Sequence, residues 1–180
     1  MSNYVLEQYE YHVWANRRVL DVLAALPRET FRQQIQSVFP TIADLLSHMY
    51  TMDGMWLSVM QEDRFEETMR KLEQLKTEVE GRELEEIAEL FNALSVRFSA
   101  FLNGQEDHER PLHLSHPKFG EADLPLSQVL QHIVNHGTYH RGHLSAMLRQ
   151  LGYASPPTDY LFFLFPTTGP QASRAAAEER

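Results

Sequence analysis

Apolar residues recur every three or four positions along four long stretches of this chain, which is the period of one buried face of an α-helix. Thr41 can cap the second stretch, with Asp44 three residues further on in its first turn. Four long helices in a single chain of 180 residues predict one all-α domain built as a four-helix bundle. The predicted helices cover residues 4–26, 41–61, 82–102 and 126–151.

The segments between and after these helices are harder to assign. Residues 62–81 are highly charged and are interpreted as a long connection with some helix. Residues 105–125 are interpreted as a loop with short extended pieces. The sequence predicts one domain over residues 1–168, followed by a disordered tail at residues 169–180.

Charge and composition narrow the range of functions. The net charge is −9 with histidines neutral, and no basic cluster is present, which argues against nucleic acid as a partner. The chain has no cysteine, so a metal site would be built from His, Asp or Glu. The longest apolar run, YLFFLFP, is too short to span a bilayer, and the first residues do not resemble a signal peptide. We expect a cytoplasmic protein that acts on a small-molecule substrate and has no membrane partner.

Four of the nine histidines occur in the segment QHIVNHGTYHRGHL of the fourth helix. His136 and His140 lie within or beside its apolar stripe, whereas His132 and His143 lie at the edge. Residues four positions apart share one helix face, with Cβ atoms about 5–6 Å apart, so His136 and His140 can bind one ion together. The alternative is that this pair occurs by chance on an exposed face, where the imidazoles only titrate.

A third ligand has to come from another helix, and His48 is the only histidine of the second one. A lone histidine beside an apolar face is more often structural, but a His-x-x-x-His pair in the same bundle favours a shared site. Three neutral imidazoles leave a coordination position open, which is typical of catalytic metal sites. We expect His12 and Tyr139 to pack in the core. The loop histidines are expected to be solvated: His108, His113 and His116.

Several segments resemble the DinB family, which includes the DNA-damage-inducible and YfiT-like proteins. They are WANRRVL, LLSHMYTMDGMWL, HIVNHGTYHRGHLSAMLRQLG and PPTDYLFFL, and together they extend over roughly residues 4–165. The most specific part is N-H-x-x-x-H-R-G followed by L-R-Q-L-G. The resemblance implies an up-down-down-up four-helix bundle that commonly forms a homodimer.

The resemblance also implies a divalent metal, commonly nickel or zinc, held by three histidines. In this chain they correspond to His48, His136 and His140. Many family members have Gln after HRG, where this chain has His143, so a fourth imidazole near the site is left open. A related group uses low-molecular-weight thiols, such as bacillithiol or mycothiol, as cosubstrates. Most members have no assigned reaction.

Four more residues are candidates for the surroundings of the site. Asp53 and Asp159 could orient a ligating imidazole, although Asp159 could equally cap the YLFFL segment. Arg141 could meet an anionic cosubstrate, or lie solvated on the helix flank. His143 could face the site from the same helix.

Two classes of function follow from these features. The first is a metal-dependent enzyme: a transferase that uses a small thiol or, if water reacts instead, a hydrolase. The second is a non-catalytic, stress-associated metal-binding bundle that acts through a partner. A metal with a free position facing a pocket would favour the enzyme, and a site closed by His143 or a carboxylate would favour the binding protein.

Overall fold

The structure, a computed structural model, describes residues 4–118 and 120–165. Helices dominate these ranges, joined by a short 3₁₀ helix and one β-hairpin. The elements are α1 (Tyr4–Ala24), the 3₁₀ helix (Arg28–Arg32), α2 (Ile42–Met60), α3 (Phe65–Val79), α4 (Leu84–Asn103), β1 (Pro111–His116), β2 (Gly120–Pro125), α5 (Leu126–Gln150) and α6 (Tyr160–Leu164). In these ranges no helix is long and apolar enough to cross a membrane.

The four long helices α1, α2, α4 and α5 form the bundle. Residue contacts show the relative directions of these helices. In a parallel pair the residue numbers of the two contact partners increase together, whereas in an antiparallel pair one increases as the other decreases. By these contacts α1 is parallel to α5, whereas α2 is antiparallel to α5 and α4 is antiparallel to α1, so the up-down-down-up bundle is confirmed. The pairs are His12–Gly137 and Asn16–Arg141, His48–His140 and Trp56–His132, and Tyr9–Phe98 and Arg17–Asn92.

The start of α2 shows how the sequence sets a helix boundary. The Thr41 hydroxyl accepts a hydrogen bond from the Asp44 backbone N–H at 3.1 Å, and the Asp44 carboxylate accepts one from the Thr41 N–H at 3.0 Å. This reciprocal capping satisfies two N–H groups that have no partner within the helix. It confirms the predicted boundary and fixes the register of the helix that carries His48.

The segment interpreted as a long connection with some helix contains a full helix, α3, which packs on α2. Its buried residues Thr68, Leu75 and Val79 form a narrow stripe on an otherwise charged helix. Leu75 approaches so closely that a Cβ at Gly54 of α2 would lie 2.6 Å from its Cδ1 atom. The apolar pattern of this segment is sparse because α3 buries only one narrow side.

The predicted loop at residues 105–125 contains an antiparallel hairpin, in which Leu112 pairs with Leu124 and His113 with Asp123. After α5 the chain returns to α1, where the Tyr11 hydroxyl donates to the Thr158 carbonyl at 2.9 Å. The short helix α6 then packs on α1. The predicted tail, residues 169–180, lies outside the described residues.

Candidate metal centre

Three histidines from two helices converge in the bundle. The Nε2 atom of His140 lies 3.0 Å from Nε2 of His136 and 3.2 Å from Nε2 of His48. Each of the three residues offers one ring nitrogen, and these nitrogens all lie within 4.8 Å of one another. His136 and His140 are brought together by the helical repeat of α5. His48 reaches them because α2 runs antiparallel against α5.

Burial determines the protonation of this cluster. It lowers the pKa of His48 and of His136, while the negative charge of Asp53 opposes the shift. Burial, followed by the charges of His136 and His48, lowers the pKa of His140 from 6.5 to about 4. All three imidazoles are therefore neutral at pH 7, which is the form that binds a metal.

The donor set fits a divalent transition metal. A tetrahedral ion with bonds of about 2.0–2.1 Å separates its nitrogen ligands by about 3.3 Å, close to the 3.0 and 3.2 Å found here. Hydrogen bonding accounts poorly for the cluster, because Nε2 of His140 faces two other ring nitrogens and can donate only one proton. Imidazole suits zinc and nickel.

Aromatic side chains border the three histidines. Phe39, in the loop before α2, has its ring centroid 5.1 Å from that of His48 and 5.6 Å from that of His140. Tyr139 lies 5.1 Å from His140 between ring centroids. It is 62% exposed, so the prediction that it packs in the core is wrong. Neither aromatic residue offers a metal ligand of the usual kind, and together they make an apolar border.

The outer two histidines of α5 flank the cluster without joining it. The ring of His143 lies 5.5 Å from that of His140 and against Tyr139. The ring of His132 packs at 4.7 Å from Trp56 and lies 6.1 Å from His136. Both histidines therefore lie at the edge of the apolar stripe of α5, as predicted from the sequence.

Asp53 acts on the cluster through its charge rather than through a hydrogen bond. Its Oδ2 accepts from His12 Nε2 at 2.8 Å, and both residues are buried. The core packing predicted for His12 is therefore correct but incomplete, since His12 also bonds to this carboxylate. The predicted role of Asp53 in orienting a ligating imidazole has no hydrogen bond to support it in the described part of the chain.

Arg141 is 2% exposed, so the predicted solvated position on the helix flank is wrong. Its Nη1 donates to Asn16 Oδ1 at 2.9 Å, and its Nη2 donates to Thr138 Oγ1 at 2.8 Å and to the Tyr11 hydroxyl at 3.3 Å. Burial lowers the pKa of Arg141. These neutral acceptors hold the guanidinium inside the bundle. Arg141 is therefore placed to join α5 to α1 rather than to bind a cosubstrate.

Two further residues singled out in the sequence are exposed. Asp159 is exposed at the start of α6, and none of the hydrogen bonds of the described residues joins its side chain to a histidine. Its side chain also makes no capping hydrogen bond, so the alternative that it caps the YLFFL segment is wrong. His113 lies on the hairpin, exposed as predicted, and its Nδ1 is 2.9 Å from Asp123 Oδ1. This hydrogen bond raises the pKa of His113.

Sequence reasoning missed Phe39 and the buried polar group formed by His12, Asn16 and Asp53. No local pattern marks Phe39, because it reaches the cluster from a loop. His12 and Asn16 did carry a signal, since they lie four residues apart on the buried face of α1. Polar residues at such spacing on an apolar face need a buried partner.

Facing helices of the bundle bring together three histidines that could hold a metal ion. The model of the DinB family matches residues 1–178. Protein DinB of Bacillus subtilis (strain 168) is 46% identical over 167 residues, which is 93% of this chain and 97% of the relative. The chain therefore belongs to the DinB family.

A solved structure shows the same fold. The crystal structure of a DinB-like protein from Bacillus cereus is similar with a TM-score of 0.63, over 85% of this chain and 94% of that chain. The two sequences are 21% identical, so this likeness concerns the fold alone. Together with the family match, it confirms the helical bundle expected from the sequence.

Proposed function

We propose that His48, His136 and His140 hold one divalent ion, zinc or nickel, and that the protein is a metal-dependent transferase using a low-molecular-weight thiol. The observation that carries this proposal is the mutual approach of three Nε2 atoms at 3.0 and 3.2 Å. A bound ion of this kind would supply Lewis acidity and would lower the pKa of a thiol or water molecule that binds to it.

The residues around the cluster support a role with a thiol. Three neutral imidazoles add no negative charge, so the site keeps the full attraction of a cation for an anionic sulfur. The chain contributes no cysteine, so the thiol would come from a cosubstrate. Phe39 and Tyr139 border the cluster with apolar rings, which limits the access of water from that side.

A groove beside His48 offers space for a charged cosubstrate. It lies between α2 and α3 and has a volume of about 540 Å³. Its walls carry both signs of charge, which suits a thiol bearing carboxylate and amino groups. The charged lining residues are Arg32, Lys76, Arg82, Asp44, Glu73 and Glu80.

The test is conjugation of bacillithiol, mycothiol or glutathione to a haloarene or an epoxide by the zinc- or nickel-loaded protein. Turnover is expected with at least one thiol and is expected to vanish in His136→Ala. His132→Ala is the matched control, because it removes an imidazole one turn away on the same helix and should keep activity.

Two other outcomes would replace this proposal. Metal-dependent hydrolysis of esters or amides, without turnover of any thiol, would identify a hydrolase. Tight metal binding with no reaction of either kind would favour the non-catalytic, stress-associated bundle that acts through a partner.

The proposal includes a cytoplasmic homodimer that acts on small molecules rather than nucleic acid. The dimer rests on the family resemblance, and the exclusion of nucleic acid on the net charge of −9. Sedimentation equilibrium of the metal-loaded protein checks the first part, with a single monomer mass as the contradicting result. Filter binding to duplex DNA at low salt checks the second.

A further inference from the structure

A separate cavity opens between α1 and α4, with Asp53 of α2 at its wall. Its volume is about 150 Å³, and among the described residues its lining includes none of the three clustered histidines. A cavity of this volume is large enough for a ligand of about the size of benzene. The proposed metal chemistry makes no use of it.

Three buried polar residues line the inner part of this cavity: His12, Asn16 and Asp53. His12 Nε2 lies 2.8 Å from Asp53 Oδ2 and 3.1 Å from Asn16 Nδ2. Arg141 fixes the Asn16 amide, because its Nη1 donates to Asn16 Oδ1 at 2.9 Å. The amide must then turn its NH₂ group towards His12, but it makes no hydrogen bond there, because the Nε2–H of His12 is donated to Asp53. Two hydrogen bonds, His12 to Asp53 and Arg141 to Asn16, therefore hold the polar inner wall in place.

Asp53 keeps an unused acceptor in this arrangement. The carboxylate is 7% exposed, and its hydrogen bond in residues 4–118 and 120–165 engages Oδ2, which leaves Oδ1 without one. The buried guanidinium of Arg141 attracts this carboxylate by its charge but donates no hydrogen bond to it, because Arg141 bonds to Asn16, Thr138 and Tyr11 instead. A buried carboxylate with a single neighbour of this kind favours a further cationic donor.

The rest of the lining is largely apolar and aromatic. Tyr9, Val13 and Phe91 form part of the walls. Burial, reinforced by the charge of Asp53, raises the pKa of Tyr9, so Tyr9 adds no second negative charge at neutral pH. Aromatic faces attract cations, and apolar walls accept a hydrocarbon body.

We propose that this cavity binds a small organic cation, with an ammonium or amidinium group paired to Asp53 and an apolar body of about the size of one ring. An anion would face Asp53 inside and Asp21 in the lining, with only Arg17 of opposite sign in the described wall. A neutral apolar molecule would leave the Asp53 carboxylate dry and without an added partner, which is costly.

The experiment is a calorimetric titration of the chelator-treated protein at pH 7 with three probes of one shape: benzylammonium, benzyl alcohol and benzoate. Benzylammonium is expected to bind at least roughly tenfold more tightly than benzyl alcohol, because both can donate a hydrogen bond to the carboxylate but only the ammonium adds the attraction of an opposite charge. Benzoate is expected not to bind. Equal binding of benzylammonium and benzyl alcohol, or no binding of benzylammonium, overturns the proposal.

Two variants locate the site. Asp53→Asn keeps the shape of the side chain and an acceptor for His12, and it should remove the preference for benzylammonium. Ala88→Leu fills the cavity from α4 without touching the polar group, and it should abolish binding. Ala93→Leu is the matched control, since Ala93 is exposed on the same helix and lies outside the lining. Binding that survives Ala88→Leu overturns the location.

Binding of benzylammonium in this cavity should not depend on the metal centre. The same titration with the zinc-loaded protein and with His136→Ala is expected to give unchanged binding of benzylammonium. Binding that appears only with zinc would assign the probe to the metal centre and overturn the separate site. Failure of the proposed thiol chemistry would leave this outcome untouched.

Discussion

Gly137 of α5 lies directly against the imidazole of His12 on α1. A Cβ atom at position 137 would lie 2.5 Å from Cε1 and 2.6 Å from Nδ1 of that ring, and 2.9 Å from Nη1 of Arg141. His12 cannot move away freely, because its Nε2–H is donated to the buried carboxylate of Asp53. The glycine next to a proposed metal ligand is thus explained by close packing of α1 on α5.

We predict that Gly137→Ala destabilises the fold by up to about 2 kcal/mol, because overpacking costs about 1–3 kcal/mol and the helix propensity gained over glycine offsets only about 1 kcal/mol of it. Gly142→Ala on the same helix is the control. A Cβ there meets nothing within 4 Å, so the variant should be slightly stabilised. Urea denaturation of both variants measures the difference, and equal stabilities would contradict the packing argument.

We predict that His48→Ala, His136→Ala and His140→Ala each weaken metal binding by more than the roughly 10–100-fold typical of residues that only support a ligand. His132→Ala and His143→Ala should retain one metal per chain, since neither belongs to the cluster. Elemental analysis after dialysis against zinc or nickel gives the stoichiometry. A His48→Ala variant that binds as tightly as the wild type would rule out the three-histidine site.

The sequence predicted those parts of the molecule in which local pattern and tertiary packing agree. The four bundle helices and the cap at Thr41 follow from periodicity and from capping chemistry that acts over three or four residues. The placement of His48 opposite His136 and His140 followed because all three lie beside apolar stripes. Packing of α5 on α2 then brings them together.

What the sequence did not reveal depends on partners distant in the chain. Arg141 looked like a flank residue because α5 packs on both α1 and α2, so its buried face is wider than one stripe. Its acceptors on Asn16 and Tyr11 lie 125 and 130 residues away. No periodicity in α5 indicates these acceptors. The extent of helix α3 was hard to predict for another reason, because many of its residues are charged.

We predict that the metal-free protein becomes less stable as the pH is lowered from 6.5 to 4. The pKa of His140 is lowered from 6.5 to about 4 in the folded state, so in this window the unfolded chain binds more protons. By linkage, the free energy of unfolding decreases as pH falls. The difference between the two pKa values, at about 1.4 kcal/mol per pH unit, limits the contribution of His140 to about 3 kcal/mol.

Denaturation of the chelator-treated protein at several pH values measures this dependence. His140→Ala should show a shallower loss of stability between pH 6.5 and 4 than the wild type. His113→Ala is the control, because the Asp123 hydrogen bond raises the pKa of His113 and gives it the opposite sign. An unchanged slope in His140→Ala would contradict the assignment of this dependence to the cluster.

Binding of the metal should stabilise the fold, and the effect should fade in acid. A ligand that binds only the folded state at 100 times its dissociation constant adds about 2.7 kcal/mol, which for a chain of this length raises the melting temperature by roughly 5–10 °C. Protons compete for the same nitrogens, but burial lowers the pKa of His48, His136 and His140. The stabilisation should therefore persist somewhat below pH 6.5 and disappear towards pH 4.

Thermal melts with zinc and with chelator at pH 7.5, 6 and 4.5 measure this stabilisation, with His136→Ala as the variant that should not respond. Identical melting temperatures with and without zinc at pH 7.5 would mean that the three nitrogens are not a metal site.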